Sequence, residues 1–497
     1  MSLLQFKFLD LYNQYKLTMT QNFETPFFSV RKNRITLLII VLLSIVIAAV
    51  NAQGRRFRKP PPPGQPNEIQ VTPYKTTMLG NGKDTALIGI KIIDRDGHEV
   101  ADAQKTITFY INGDAKIINV HQADISAAVR TDSTFQITIT GSCWAVLQAG
   151  PTRGVIKLDV KADTLVTGST EIHVVQPGTP HKVTNVVYEP KKVKDKILGA
   201  DISFLPQLED RGMKFSCNGT PGDPIDIMKQ NGFNYIRLRI FNDPAQPKGY
   251  SPGKGFCDLT HTLVMAKRIK AAGLKFLLDF HYSDIWADPQ RQTLPAAWTG
   301  EDFTAIKKSL YDYTVMVMTA LKDQGTTPDM VQVGNEINHG MVWPDGEINN
   351  LDSLAQLIYA GVKGVKAVSP ATTIMLHIAL GGQNAEACFF LDNMTARNVP
   401  FDVIGLSYYP KWHGTPNDLK NNMADLATRY KQQVMVAEYS QLKKEVNDIA
   451  FTAPGSKAVG SFIWEPISSW ESIFDRDGKS NEFMNVFPGI AKQYDVK

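Results

Sequence analysis

From Lys196 onward the sequence repeats one unit: a short apolar run, a polar interruption, then a helical pattern. The runs fall at 197–204, 234–241, 274–280, 330–334, 373–378, 403–407, 434–437 and 459–464. A parallel strand buried on both faces reads as a continuous apolar run, and parallel neighbours need a crossover between them. Eight such runs over about 270 residues predict a closed (β/α)8 barrel, a TIM barrel, over 196–497. Helical patterns at 259–272, ending at Gly273, and at 303–321 supply two of the crossovers. A doubly wound open sheet is the competing layout. No glycine-rich phosphate turn follows the first run, which removes the usual nucleotide site of that fold.

Polar groups gather where the runs stop, the end at which a barrel keeps its chemistry. The fourth run, MVQVG, ends in Asn335-Glu336, and the seventh, VMVA, ends in Glu438. A single glutamate in such a place is more often a salt-bridge partner. Two of them, closing separate buried strands, are what glycosidic cleavage requires: one to protonate the departing oxygen, the other to attack the sugar or activate water. The first run offers Asp201. In the second, Arg237 and Arg239 fall on one face because strand side chains alternate. On the interior face Arg237 would hold a carboxylate ionised, whereas Arg239 could equally form a structural ion pair. The third run leads into a loop with His281 and Trp286, the sixth into Tyr409, and the eighth into Trp464-Glu465-Pro466. Aromatic faces beside polar groups suit a sugar ring, which presents C–H faces and hydroxyls together.

The 497 residues leave room for more than a barrel. Arg31, Lys32 and Arg34 precede a sixteen-residue, predominantly apolar run at 35–50, followed by Asn51-Ala52. This predicts an export signal over 1–52, cleaved after Ala52, with Met1 or Met19 as the start. An uncleaved anchor is the alternative, since about 17 to 25 apolar residues span a bilayer. A basic, proline-rich spacer follows at 53–67. Short alternating runs at 68–176 predict an all-β sandwich of immunoglobulin type, with strands at 86–92, 105–111, 135–140, 144–148, 155–160 and 170–175. Such a module is either a spacer or a glycan binder using aromatics such as Tyr74 or Trp144. A linker at 177–195 separates it from the barrel. The formal charge of +4 gives no argument for nucleic acid, and the four cysteines show no CxxC spacing, leaving a Cys217–Cys257 disulfide open.

Seven stretches carry a specific resemblance: GADISFLPQLEDRG (199–212), NYIRLRIFNDP (234–244), LDFHYSDIWADP (278–289), QTLPAAW (292–298), VGNEINHGMVWP (333–344), GLSYYP (405–410) and FIWEP (462–466). In order and spacing they resemble glycoside hydrolase family 53, the arabinogalactan endo-β-1,4-galactanases. The resemblance implies a retaining hydrolase acting on β-1,4-galactan, with Glu336 as acid/base and Glu438 as nucleophile. It further implies that Asn335 bonds the 2-hydroxyl of the cleaved sugar and that Arg237 lies near the nucleophile. Substrate contacts are expected from Asp201, His281, Trp286, Tyr409 and Trp464. Another retaining β-glycanase, or a non-catalytic surface glycan-binding protein, are the alternatives. Bacterial members often carry a long, calcium-associated loop after the nucleophile. Here a short segment follows Glu438, so no metal and no cofactor are expected. Asp475-Arg476-Asp477-Gly478 reads as a tight turn. The expected partner is the polysaccharide, with no nucleic acid, a monomeric state, and a periplasmic, surface or extracellular location that includes association with the cell envelope.

Overall fold

A computed structural model describes residues 64–122, 125–131, 134–176, 178–468 and 471–497. The expected export signal, and all but the end of the proline-rich spacer, lie outside the described residues.

The first part is a sandwich of ten strands: β1 (Glu68–Pro73), β2 (Thr77–Leu79), β3 (Thr85–Ile93), β4 (Gln104–Asn112), β5 (Ala115–Gln122), β6 (Ile125–Thr131), β7 (Thr134–Thr140), β8 (Ser142–Ala149), β9 (Gly154–Lys161) and β10 (Gly168–Val175). They form two five-stranded sheets, ordered β1-β3-β8-β5-β6 and β2-β10-β9-β4-β7. Alternation is clean in β8, where every second side chain is buried. Ile88 and Ile90 from one sheet meet Phe109, Leu158 and Val160 from the other in a single core. Four strands lack a sequence expectation. β2 is only three residues long, and in β5 the paired Ile117-Ile118 breaks the alternation where the register shifts between Ile117 and Asn119.

The barrel strands are β11 (Ile197–Asp201), β14 (Tyr235–Ile240), β15 (Lys275–Phe280), β16 (Met330–Val333), β17 (Thr373–Ile378), β18 (Val403–Tyr408), β19 (Gln433–Tyr439) and β20 (Ala458–Trp464), with a small hairpin, β12 (Ser216–Cys217) and β13 (Thr220–Pro221), between the first two. All eight expected runs are strands, and β20 pairs with β11 to close the ring. Outer helices begin where Asp258 and Asp302 accept hydrogen bonds from His261 N and Ala305 N, satisfying donors the first turn leaves open. The Asp475–Gly478 stretch is a tight turn closed by Gly478 N donating to Asp475 O at 3.0 Å. Cys143, Cys217, Cys257 and Cys388 are all free thiols.

The segment expected to be a linker lies against the barrel. Tyr188 Oη and Lys191 N donate to Asp402 Oδ1 at 2.7 and 2.8 Å, and Val193 N donates to Gln433 Oε1 at 2.6 Å. Asp402 and Gln433 stand at the starts of β18 and β19, so this strap runs beneath the barrel. The sandwich itself meets the loops above. Thr76 N donates to Glu386 Oε2 at 2.8 Å, and Gln70 Nε2 donates to Lys411 O at 2.6 Å. Val175 and Leu79 join the barrel's outer core. The sandwich is therefore docked on the barrel, not held away from it.

Candidate active site

Inward-facing side chains of the barrel form two layers. The lower one is apolar: Ile197, Tyr235, Leu277, Met330, Met375, Val403, Met435, Val459 and Phe462 pack together. Two residues further along β14, β15, β16 and β17, and four further along β11 and β18, the interior turns polar, with Asp201, Arg237, Asp279, Gln332, His377 and Ser407 at most 1% exposed. A guanidinium buried this deeply is tolerated only when its donors are met. Arg237 Nη1 donates to Glu438 Oε1 at 2.7 Å and Asp201 Oδ2 at 2.8 Å. Its Nη2 donates to Asp279 Oδ2 at 2.8 Å and Asn335 Oδ1 at 3.0 Å, and Nε to Gln332 Oε1 at 3.2 Å.

The two glutamates arrive at the top of this layer by different backbone devices. In β19, Met435 and Ala437 face the barrel interior while Val434 and Val436 face the helices, so strict alternation would send Glu438 outward. The register with β18 jumps from Leu406↔Val436 to Ser407↔Glu438. This bulge turns Glu438 inward to Arg237 and leaves Tyr439 outside, bonded to Asn447 at 2.7 Å. Glu336 instead sits on a turn just past β16, with φ +84° at Gly334 and +49° at Glu336. A Cβ at Gly334 would come 2.6 Å from Ile337, so the turn needs glycine there.

One carboxylate oxygen of Glu336 and one of Glu438 lie within 4.8 Å of each other. Burial, and then the charge of Glu438, push Glu336 up to about 8, against a hydrogen bond from Ser407. Burial raises Glu438 as well, but the guanidinium of Arg237 pulls it back. Of the pair, the proton belongs on Glu336. A His377 ring nitrogen falls within the same 4.8 Å, a spacing a metal ion could bridge. Both of its nitrogens already have partners: Nδ1 lies 3.0 Å from Gln332 Nε2 and 2.9 Å from Asn335 Oδ1, and Nε2 lies 2.8 Å from Ser407 Oγ. With a cation, Arg237, already touching Glu438, hydrogen bonds organise this trio, and the donor set does not suit an ion.

The remaining expected residues divide into floor and wall. Asn335 is 5% exposed and donates from Nδ2 to Ala287 O at 2.8 Å. Asp201 borders the cavity at its floor, where its oxygens accept from Arg237 and from Ser203 N and Oγ, so in this structure it holds Arg237 in place. His281 is likewise engaged on both nitrogens, Nε2 with Asp279 at 3.0 Å and Nδ1 accepting from Ala287 N at 3.0 Å. It borders the cavity as part of the floor. Tyr409 Oη donates to Glu438 Oε2 at 3.2 Å. Trp286 and Trp464 stand 6.2 Å apart as a half-buried wall. Arg239 pairs with Glu465 and stacks under Trp286 and over Phe204 at 4.3 and 4.4 Å. Gln332 and His377 carry no sequence expectation, although Gln332 is the one polar side chain in MVQV and His377 the one titratable group in TIMLHI. The cavity above this floor holds about 790 Å³ and is bounded on one side by the sandwich, through Pro73, Thr76, Glu171 and His173.

Residues 197–461 match Glycosyl hydrolase family 53, and residues 69–171 match Glycoside hydrolase family 2 C-terminal domain 5. An uncharacterised protein of Niallia circulans is 43% identical over 251 residues, covering 49% of this chain and 66% of that protein. An endo-beta-1,4-galactanase of Bacillus subtilis is 36% identical over 278 residues, covering 55% and 63%. The chain thus spans just under two thirds of the length of these two relatives. The solved catalytic domain of an Ignisphaera aggregans family 53 protein superposes with a TM-score of 0.56 at 32% identity, over 62% of this chain and 98% of that one. Because the family match runs from the first barrel strand into the last and takes in both carboxylates, the chain belongs to glycosyl hydrolase family 53.

Proposed function

We propose that this protein is an endo-acting, retaining hydrolase of β-1,4-galactosidic bonds in galactan, including the galactan side chains of pectin. The observation that carries the reading is the pair Glu336 and Glu438, with oxygens within 4.8 Å of each other. Retaining enzymes hold their carboxyl groups about 5 to 5.5 Å apart, whereas inverting ones leave about 6.5 Å or more for a water. The name of the Bacillus subtilis relative supports galactan as the substrate class.

Glu438, ionised against Arg237, attacks the anomeric carbon. The glycosidic C–O bond breaks as the Glu336 proton passes to the departing oxygen. Glu336, now a carboxylate, takes a proton from water. The water oxygen attacks the same carbon, and the ester bond to Glu438 breaks. This cycle needs one protonated and one ionised acid at neutral pH, and Glu336, raised to about 8 with Glu438 held lower by Arg237, supplies that division. Trp286 and Trp464 give the sugar an aromatic face. Export through residues 1–52 would bring the enzyme to such polymers outside the cytoplasm, and the mature N-terminus would then be Gln53.

Incubation with linear galactan, beside cellulose, xylan and mannan, is the test. Mixed oligosaccharides from galactan, with the β-anomer formed first by proton NMR, are expected. An α-anomer first would overturn retention, and faster cleavage of another glycan would overturn the substrate.

A further inference from the structure

A second groove, of about 940 Å³, opens between the outer face of the first sandwich sheet and the barrel segment after β18. Tyr409 and Trp412 border both this groove and the catalytic cavity. On the sandwich side the strand register sets Thr72 opposite Gly89, and Gly89 opposite Trp144. The indole lies across Gly89 so closely that a Cβ there would come 2.8 Å from the ring. Tyr74 stands 5.2 Å away, tilted at 58°. The next row presents Gln70 opposite Lys91. Across the groove Trp412 is 48% exposed, beside Gln383. That glutamine is 2% exposed, and its Oε1 has no hydrogen-bond partner among the described residues.

Aromatic planes with neighbouring hydroxyl and amide groups match the two-sided chemistry of a pyranose chain. Aromatic rings take the C–H faces, and the polar groups take the hydroxyls. We infer that this groove is a carbohydrate-binding site, shared by sandwich and barrel, that holds a distal stretch of the galactan chain being cut between Glu336 and Glu438. The sandwich then acts as part of the substrate-binding surface. This rests on the hydrolase reading above, and its test separates the two.

The test uses the full chain and two substitutions. Trp144→Ala removes the platform. Gly89→Ala keeps the indole but pushes it off the sheet, and the backbone at residue 89 is not in the left-handed region. Each is assayed on long linear galactan and on short galacto-oligosaccharides that fill only the cleft. KM for the long chain is expected to rise about tenfold, the loss of one good stacking contact, with kcat and short-substrate kinetics near parent values. An unchanged long-chain KM in both variants would overturn the site. So would an equal loss on short and long substrates, which would mean that the sandwich merely braces the barrel. If the parent cleaves neither substrate, the hydrolase reading fails. Affinity electrophoresis of parent and variants in galactan gels then decides the groove by itself: weaker retardation of both variants supports it, and equal retardation overturns it.

Discussion

The two interior layers of the barrel are built by the same strands, two or four residues apart, yet they solve opposite problems. Tyr235 and Leu277 in the lower layer need only fill volume, and do so with nearly complete burial. Arg237 and Asp279, one step higher, are equally buried but carry charges that cost several kcal/mol each to remove from water. Five hydrogen bonds from Arg237, to Glu438, Asp201, Asp279, Asn335 and Gln332, offset that cost. The lower layer is stable by its shape alone. The upper one is stable only while its partners are complete, and that completeness also fixes where Glu438 points.

Removing one member from each layer separates these roles. Arg237→Met leaves Asp201, Asp279 and Glu438 buried without their cation. A loss of about 3 to 5 kcal/mol in urea unfolding is expected, together with a fall in kcat on galactan of about a hundredfold or more as Glu438 loses its anchor. Leu277→Ala opens a cavity in the lower layer and should cost about 2 to 5 kcal/mol, with kcat unchanged at a temperature where the variant is folded. Equal effects of the two on kcat would show that the layers are not independent.

Much of this division can be read in the chain, and the exceptions have physical causes. Buried parallel strands announce themselves as apolar runs, so all eight barrel strands are legible, as is the shared face of Arg237 and Arg239. Their different partners are not, because Glu438 and Glu465 are distant in sequence. Gln332 and His377 are visible only as polar interruptions inside MVQV and TIMLHI, a pattern equally consistent with a buried, satisfied core group. The inward turn of Glu438 contradicts simple alternation, and it is the bulge against Ser407 that makes it possible. Its place at the end of the apolar run VMVA marks that glutamate as a site candidate, and the likeness to a known family assigns it the nucleophile's role; neither shows the bulge that turns it inward. Docking of the sandwich is legible least of all. It depends on single contacts such as Thr76 Oγ1 with His339 Nε2 at 2.7 Å, which no periodicity encodes.

The proton on Glu336 offers a finer probe of the upper layer. An ordinary glutamate titrates near 4.5, but in the folded protein this one is raised to about 8. Between those values the unfolded chain gives up the proton while the folded chain keeps it, so rising pH favours unfolding. The contribution is intact below the unfolded value and is lost by about pH 8. Glutamine cannot ionise. Glu336→Gln should therefore melt higher than the parent, by a margin that widens from about pH 5 to about pH 8, while hydrolysis falls by about 10² to 10⁴. A margin independent of pH would place the proton elsewhere.

The smallest change asks which layer Tyr409 serves. Sequence expectation makes it a face for the sugar, whereas the structure has its hydroxyl donating to Glu438 Oε2 at 3.2 Å. Tyr409→Phe keeps the ring and deletes the donor. A donor to a carboxylate favours its charged form, so losing it raises Glu438 further and moves the acidic limb of kcat/KM to higher pH. A bond at this distance is weaker than those of Arg237, so a fall of about tenfold in kcat/KM is expected. If phenylalanine instead leaves both the rate and the acidic limb at parent values, Tyr409 acts through its ring alone. Orientation of Glu438 would then belong to Arg237 and the β19 bulge.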